Sequence, residues 1–332
     1  MSGYKAMAVS PKPPAPSAAL QQAAAHAWQR HPGQGLLAVA YSGGADSTAL
    51  LLAACSVRPG QVLALHVNHQ LQPAAKHFEA HVRLLCQAWG VPLYVLGINA
   101  QPAPGQSPED AARNGRYLAL AQAASQAGAC QVWLGQHADD QLESLLLALT
   151  RGAGVAGLAA MPDHMQRHGC TFVRPLLQWP GAALRDEVQR AGAPFVDDPT
   201  NRDTQRTRNR LRHQVVPPLL QAFPQARETL ARSARHAAQA HQLLGELAAM
   251  DLQQIGNPPT IAALQTLGAA RQANVLRHWL LLHHEARAST AQLGALQQQL
   301  QACRTAGHGI SLKVGHGMVQ RQGSHLHFEP LL

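Results

Sequence analysis

Aromatic side chains are scarce in this chain: Phe, Trp and Tyr make up 4% of its 332 residues. For a flat ligand, stacking on arginine or histidine is the expected substitute for aromatic platforms. Close cysteine pairs are missing as well. Cys55, Cys86, Cys130, Cys170 and Cys303 are widely spaced, which excludes a C-x-x-C zinc or redox pair and leaves buried free thiols as the ordinary expectation. No stretch approaches the ~18 uninterrupted apolar residues of a membrane helix. The opening MSGYKAMAVSPKPPAPSAA has no apolar core of the length a secretory signal needs, so a cytoplasmic protein without a membrane partner is expected. Lysine is rare too, with four residues against 23 arginines.

What is present is a hydrophobic content of 46%, enough to bury a substantial core in two or three domains. The 27 Lys and Arg outnumber the 18 Asp and Glu, leaving a formal charge of +9. That excess suits an anionic partner, but charge alone does not identify nucleic acid.

Beyond a Pro/Ala-rich lead that ends at Ser17 and reads as disordered, strand-like runs alternate with helical patterns. LLAVAY precedes a helix expected from Ser47, and VLALHV precedes AAKHFEAHVRLLCQAW. LYVLGI precedes a helix capped by Ser107, and QVWLG precedes DDQLESLLLAL. This repetition predicts an α/β fold with a parallel, doubly wound sheet. In the second helix Phe78, Val82, Leu85 and Trp89 form one apolar stripe, which Gly90 and Pro92 terminate. The alternation stops after Arg212. Three helices are expected next, near Gln225–Leu252, Ala269–His284 and Thr290–Ala302. The terminal ISLKVGHGMVQRQGSHLHFEP then predicts a β-hairpin or meander with turns at Gly315–Gly317 and Gly323–Ser324.

The sequence Ser42-Gly43-Gly44-Ala45-Asp46-Ser47 links the first strand to the first of these helices, at the carboxyl edge where α/β folds bind ligands. Two glycines let backbone N–H groups approach an oxyanion closely, and the following helix end and the two serines add positive potential and donors. The loop reads as a phosphate cradle. It lacks the lysine and spacer of G-x-x-x-x-G-K-[ST]. Asp46 beside phosphates requires a cation, most simply Mg²⁺.

S-G-G-x-D-S after a first strand resembles the pyrophosphate loop of the N-type ATP pyrophosphatases, or PP-loop enzymes, which split ATP into AMP and pyrophosphate while adenylating a substrate. Four further stretches narrow the resemblance: His66-Val67-Asn68-His69-Gln70-Leu71, Ala112-Arg113-Asn114-Gly115-Arg116-Tyr117, Gly135-Gln136-His137-Ala138-Asp139-Asp140-Gln141-Leu142-Glu143, and Asp198-Pro199-Thr200-Asn201 with Arg208-Asn209-Arg210-Leu211-Arg212. In this order they resemble the tRNA(Ile)-lysidine synthetases over roughly residues 36–220, in a short form lacking a further C-terminal domain. The resemblance implies adenylation of C2 of the wobble cytidine in tRNA(Ile) by ATP, then displacement of AMP by the lysine side-chain amine. It implies a lead over 1–17, a PP-loop domain over 18–215 and a mainly helical tRNA-binding domain over 216–332.

Roles follow for individual residues. Ser42, Gly43, Gly44, Ala45, Asp46, Ser47 and His66 would bind ATP, with Asp46 and Asp140 as Mg²⁺ ligands. Catalysis is expected from Asp46, Asp140, His137, Arg113, Arg116 and Arg208. Asp139 and Glu143 stand beside Asp140, and His69 beside the nucleotide pocket. The segment holding Arg202, Arg206, Arg208, Arg210 and Arg212 has one acid, Asp203, and suits tRNA phosphates. Two alternatives stay open. A PP-loop tRNA thiolase would need paired cysteines or a cysteine-bound cluster, and a non-catalytic nucleotide-dependent RNA-binding module would not need Asp46 and Asp140. The sequence also leaves a homodimer open.

Overall fold

A computed structural model describes residues 11–68, 75–98, 108–305 and 307–331. The chain divides into two units, Met1–Ala234 and Arg235–Leu332. The first contains, in order, α1 (Ala18–Arg30), β1 (Leu36–Ala40), α2 (Ala45–Val57), β2 (Val62–Asn68), α3 (Ala75–Trp89), β3 (Leu93–Gly97), α4 (Pro108–Gln126), β4 (Ala129–Trp133), α5 (Ala138–Thr150), α6 (Val155–Leu158), β5 (His164–Arg167), β6 (Cys170–Val173), α7 (Gly181–Arg190), α8 (Thr207–Arg210) and α9 (Val216–Ala222). The division falls inside α10 (Ala226–Ile255). The second unit continues with α11 (Ile261–Thr266), α12 (Ala269–His284), α13 (Thr290–Ala302), β7 (Ser311–Val314), β8 (Gly317–Gln322) and β9 (His325–Pro330).

The six strands of the first sheet lie in the order β3-β2-β1-β4-β6-β5. All neighbours are parallel except the antiparallel β5–β6 pair. β1 is central and buried on both faces, as its unbroken apolar run requires. Leu37 and Val39 join one core with α1, α2, α3 and α7, whereas Ala38 joins a second core with Tyr117, Leu120 and Ala124 of α4. The sheet is thus doubly wound, as expected. Each fully buried leucine such as Leu37, Leu63 or Leu65 contributes about 1.5–3 kcal/mol through apolar burial. In α3 the expected stripe is present, with Val82, Leu85 and Trp89 buried and Phe78 half-buried, and Gly90 at φ +65° ends the helix.

Several elements were not foreseen. α1 carries only a thin stripe of Leu20, Ala24 and Ala27; Ser17 caps it, accepting from the Leu20 N–H at 3.2 Å. β5, whose sequence is HMQR, has no strand-like apolar content and pairs only because β6 offers it an edge. α7 packs against α2 through Leu184 and Val188. The first ten residues of the expected lead, and Ser107, lie outside the described residues.

The three long helices expected after Arg212 fall close to where the sequence placed them, as α10, α12 and α13, and the terminal β element of the second unit is a three-stranded antiparallel meander, β7-β8-β9, turning at Gly315 and Gly323. Its core joins Leu276, Trp279 and Leu280 of α12 to Leu296 and Leu300 of α13 and Val319 and Leu326 of the sheet. Ser289 and Gln292 close a reciprocal capping box at the start of α13. Among the described residues no helix is long and apolar enough to cross a membrane.

Candidate active site

β2 and β3 lie on one side of β1, and β4 and β6 on the other. The chain therefore reverses its direction of winding between β1 and β4, and a crevice opens at their carboxyl ends. The loop after β1 and the loop after β4 meet there.

The first loop is held by its own serines. Ser42 and Ser47 Oγ lie 3.0 Å apart, the Ser47 hydroxyl donates to Gly44 O at 3.0 Å, and the Ser42 N–H donates to Ser47 Oγ at 3.2 Å. Gly43 adopts φ +87°, and a Cβ there would stand 3.0 Å from Val82 Cγ2. We expect Gly43→Ala to lose roughly 1–2 kcal/mol of stability and to raise the KM for ATP. Thermal unfolding and ATP titration of the variant check this.

Helix α2 begins at Ala45, two residues earlier than expected, with Gly44 as its cap. Asp46 therefore lies in the first turn, where the helix dipole favours a carboxylate. This supplies part of the positive potential that its position beside a phosphate loop demands. His66, on β2, is buried, and its Nδ1 donates to the carbonyl of Tyr41 at 2.9 Å. Burial holds this imidazole below its usual pKa in spite of that bond. It therefore props the strand end preceding the loop as a neutral ring.

From the other side comes His137, the cap of α5. Its Nε2 is 3.5 Å from Asp46 Oδ2 and 3.6 Å from Asp140 Oδ2, while Nδ1 is 3.7 Å from Asp139 Oδ2. Burial alone would lower its pKa; the surrounding carboxylates outweigh burial and push it up to about 9. Asp140 Oδ2 also accepts the His137 N–H at 3.0 Å. Asp139 turns away, accepting from the Gly181 N–H at 2.8 Å and pairing with Arg227. Gly135 brings the loop against Asp46: a Cβ at Gly135 would lie 3.4 Å from the Asp46 backbone.

Glu143 does not line the crevice beside Asp140 as an open acid. It is 1% exposed and accepts two hydrogen bonds from Arg212, at 2.6 and 3.2 Å, and Arg212 also lies 3.6 Å from Asp140 Oδ1. Arg212, expected to grip tRNA, is thus bound to Glu143 and lies near Asp140. The sequence offered Asp203 as the local partner for this arginine-rich segment, and it pairs with Arg206 at 3.6 Å. Arg208 reaches Ser144 Oγ at 3.4 Å, and Arg210 is exposed. On α4, Arg113 is half-buried with its guanidinium 5.8 Å from the Tyr117 ring centre, while Arg116 lies on the exposed side. His69 and the Arg202 side chain lie outside the described residues.

Two arginines were missed. Arg174, just past β6, is 2% exposed and donates to Gln136 Oε1 at 2.6 Å, Pro162 O at 2.7 Å and Tyr117 Oη at 3.2 Å. It is a buried cation satisfied largely by neutral acceptors. Arg185, on α7, pairs with Asp197 at 2.5 Å and adds to the positive field at Asp46, which is among the charges that raise its own pKa. Both are isolated in sequence, so no motif marked them.

A glycine-serine loop after the central strand, carrying Asp46 and met across the switch point by His137 and Asp140, defines a PP-loop ATP pyrophosphatase. Residues 17–219 match the family model of the PP-loop domain, and residues 260–327 match that of the TilS substrate binding domain. The chain belongs to the tRNA(Ile)-lysidine synthase family. It is 57% identical over 290 residues to the tRNA(Ile)-lysidine synthase of Polaromonas naphthalenivorans, covering 87% of this chain and 88% of that relative. Identity to the Burkholderia pseudomallei tRNA(Ile)-lysidine synthase is 42% over 287 residues, covering 84% of this chain and 58% of the relative. Among solved structures, the U34-tRNA thiolase NcsA of Methanococcus maripaludis, with its [4Fe-4S] cluster, is similar over 66% of this chain and 79% of its own. The TM-score is 0.54 and the identity 12%, a likeness of fold alone.

Proposed function

We propose that the protein converts the wobble cytidine of a CAU-anticodon tRNA(Ile) to lysidine in two steps. Cytidine O2 attacks the α-phosphorus of ATP and pyrophosphate leaves; the lysine ε-amine then attacks C2, loses a proton, and AMP leaves. The observation that carries this reading is the meeting of Asp46 with His137 and Asp140 across the switch point. Negative charge grows on the α-phosphate and on departing pyrophosphate, so donors fixed beforehand lower the barrier. The Ser42–Ser47 loop would hold the outer phosphates, with Arg113, Arg116 and Arg208 directed to the α-phosphate or to RNA. His137 would carry a proton beside the phosphates, restrained by Asp140.

Asp46 suits Mg²⁺ carried on the phosphates: it offers hard oxygen donors, and its side chain is 43% exposed. Asp140, whose Oδ2 accepts the His137 N–H and whose Oδ1 lies 3.6 Å from Arg212, would serve as the second carboxylate of the ion, its free lone pairs being hard oxygen donors. The ion would neutralise charge on the leaving pyrophosphate.

Mass spectrometry of tRNA nucleosides after incubation with ATP and lysine tests the proposal. Lysidine at the wobble position, with one AMP per lysidine, is expected. Sulfur incorporation would favour a thiolase, a reading weakened by five free and scattered cysteines. ATP-dependent RNA binding without product would favour a binding module. The exposed Arg206 and Arg210, with Arg202, remain proposed tRNA contacts. Changing Arg206 and Arg210 together to Gln should lower the slope of log affinity against log salt by about 2, measured by filter binding.

A further inference from the structure

Beyond the phosphate loop, a cavity of about 330 Å³ opens between α4, α5, α6 and α8. Among the described residues its lining includes Arg113, Arg151 and Arg208 and no acid. Leu147, Ala148 and Met161 make much of the remainder apolar, and Ser144, which meets Arg208, supplies a hydroxyl. Three guanidinium groups around an apolar basin without an acidic partner suit a ligand that is anionic at one end and flat and weakly polar at the other. The volume lies near the lower end of the ~300–1,000 Å³ usual for small-ligand sites, a scale suited to one nucleotide rather than to a duplex.

The basin is shaped by the way the chain turns at the end of α5. Gly152 takes φ +65°, its N–H donates to Leu149 O at 3.1 Å, and the Ala153 N–H donates to Ala148 O at 3.0 Å. That turn leads straight into α6, wound so tightly that a Cβ on Gly157 would stand 2.6 Å from the Ala153 Cβ four residues before it. Gln141 then clamps Met161, donating to its carbonyl and accepting from its N–H, both at 2.8 Å. Arg151, the C-cap residue of α5, thereby joins Arg113 of α4 and Arg208 of α8 in the lining. The acid affected by Arg208, Glu143, is buried and paired with Arg212.

We propose that this basin seats an unpaired nucleotide of the tRNA loop, with its phosphodiester held by Arg151 together with Arg113 and Arg208 and its base against the apolar floor. The proposal rests on the lysidine-forming reading above and makes Arg151 a substrate-positioning residue that no motif marks. Single-stranded loops present splayed bases and exposed phosphates together, which this combination of surfaces recognises. ATP carries phosphate too, and the test separates the two sources.

The test compares Arg151→Ala and Arg151→Lys with the unaltered full chain, measuring tRNA affinity by filter binding across a salt series, the KM for ATP, and lysidine yield. Arg151→Ala should weaken tRNA binding roughly tenfold and lower the salt slope by about 1. The KM for ATP and the AMP formed per lysidine should stay unchanged, and Arg151→Lys should recover part of the affinity. An arginine that merely complements the carboxyl end of α5 would leave tRNA affinity untouched; that result overturns the proposal. A rise in the KM for ATP with tRNA affinity unchanged assigns the basin to ATP phosphates and overturns it equally. If the unaltered protein makes no lysidine, the functional reading falls and the basin's assignment with it, whereas lysidine formation with an indifferent Arg151→Ala removes the basin alone.

Discussion

Asp46→Asn abolishes ATP-dependent AMP release, lowering it by on the order of 10²–10³-fold or more, while the thermal midpoint stays close to that of the unaltered protein. The side chain is partly exposed and its nearest ion-pairing contact is His137 at 3.5 Å, so an amide of the same shape fits without a cavity. What disappears is the charge that steadies His137 and would hold the metal on the phosphates. Asp140→Asn should behave alike. Its amide oxygen can still accept the His137 N–H, so α5 keeps its cap, but the charge shared with His137 and Arg212 is gone. The check is AMP release with tRNA and ATP present, alongside a melting curve. Near-normal turnover in either variant would remove that carboxylate from the chemistry.

Arg212→Leu should cost about 2–3 kcal/mol of folding stability. Removing one partner of a buried pair leaves the other charge uncompensated, an effect of ~3–5 kcal/mol in full burial. It is reduced here because Arg212 keeps 36% exposure and is partly screened by water. Burial already holds the Glu143 carboxyl above the usual carboxylate range, and Arg212 is the chief group opposing that rise. With Arg212 gone the folded-state pKa climbs further. A carboxyl with a raised folded pKa contributes its stability below the unfolded value and loses it as pH rises through the folded value. The deficit against the unaltered protein should therefore be smaller at about pH 5 than at about pH 8, and Arg212→Leu with Glu143→Gln should regain part of it. Denaturant titrations at the two pH values decide the matter; an equal loss at both would show that Glu143 does not bear the cost.

The glycine-serine loop was legible because its information is local. Two glycines, two serines and an aspartate between a fully apolar strand and a helix have few structural uses, and the order of runs around them dictates a parallel sheet. The partners of the charged groups were less legible, since Arg212 finds Glu143 across 69 residues of chain. The bond from His66 to the Tyr41 carbonyl was likewise illegible, because only the pairing of β2 beside β1 brings the two within reach. α1 escaped notice because an Ala/Gln helix with three buried positions has little periodic contrast, and β5 because an edge strand borrows its conformation from its neighbour. The start of α2 moved by two residues, and that small shift changes the account of Asp46: a carboxylate in a first helical turn is partly compensated before any ion arrives.

Because β1 is the middle strand, its two edges are completed at very different times during synthesis. Val62 to Leu65 pair with it early, but Gln131 to Trp133 emerge much later, and only after them the residues of α5. A ribosome-bound chain that has exposed only the first half of this unit owns the phosphate loop without the strand that closes the crevice. Such non-local closure slows folding and leaves an unpaired edge open to misassociation meanwhile, so nucleotide capture by stalled nascent chains should begin only once the α5 region has cleared the exit tunnel.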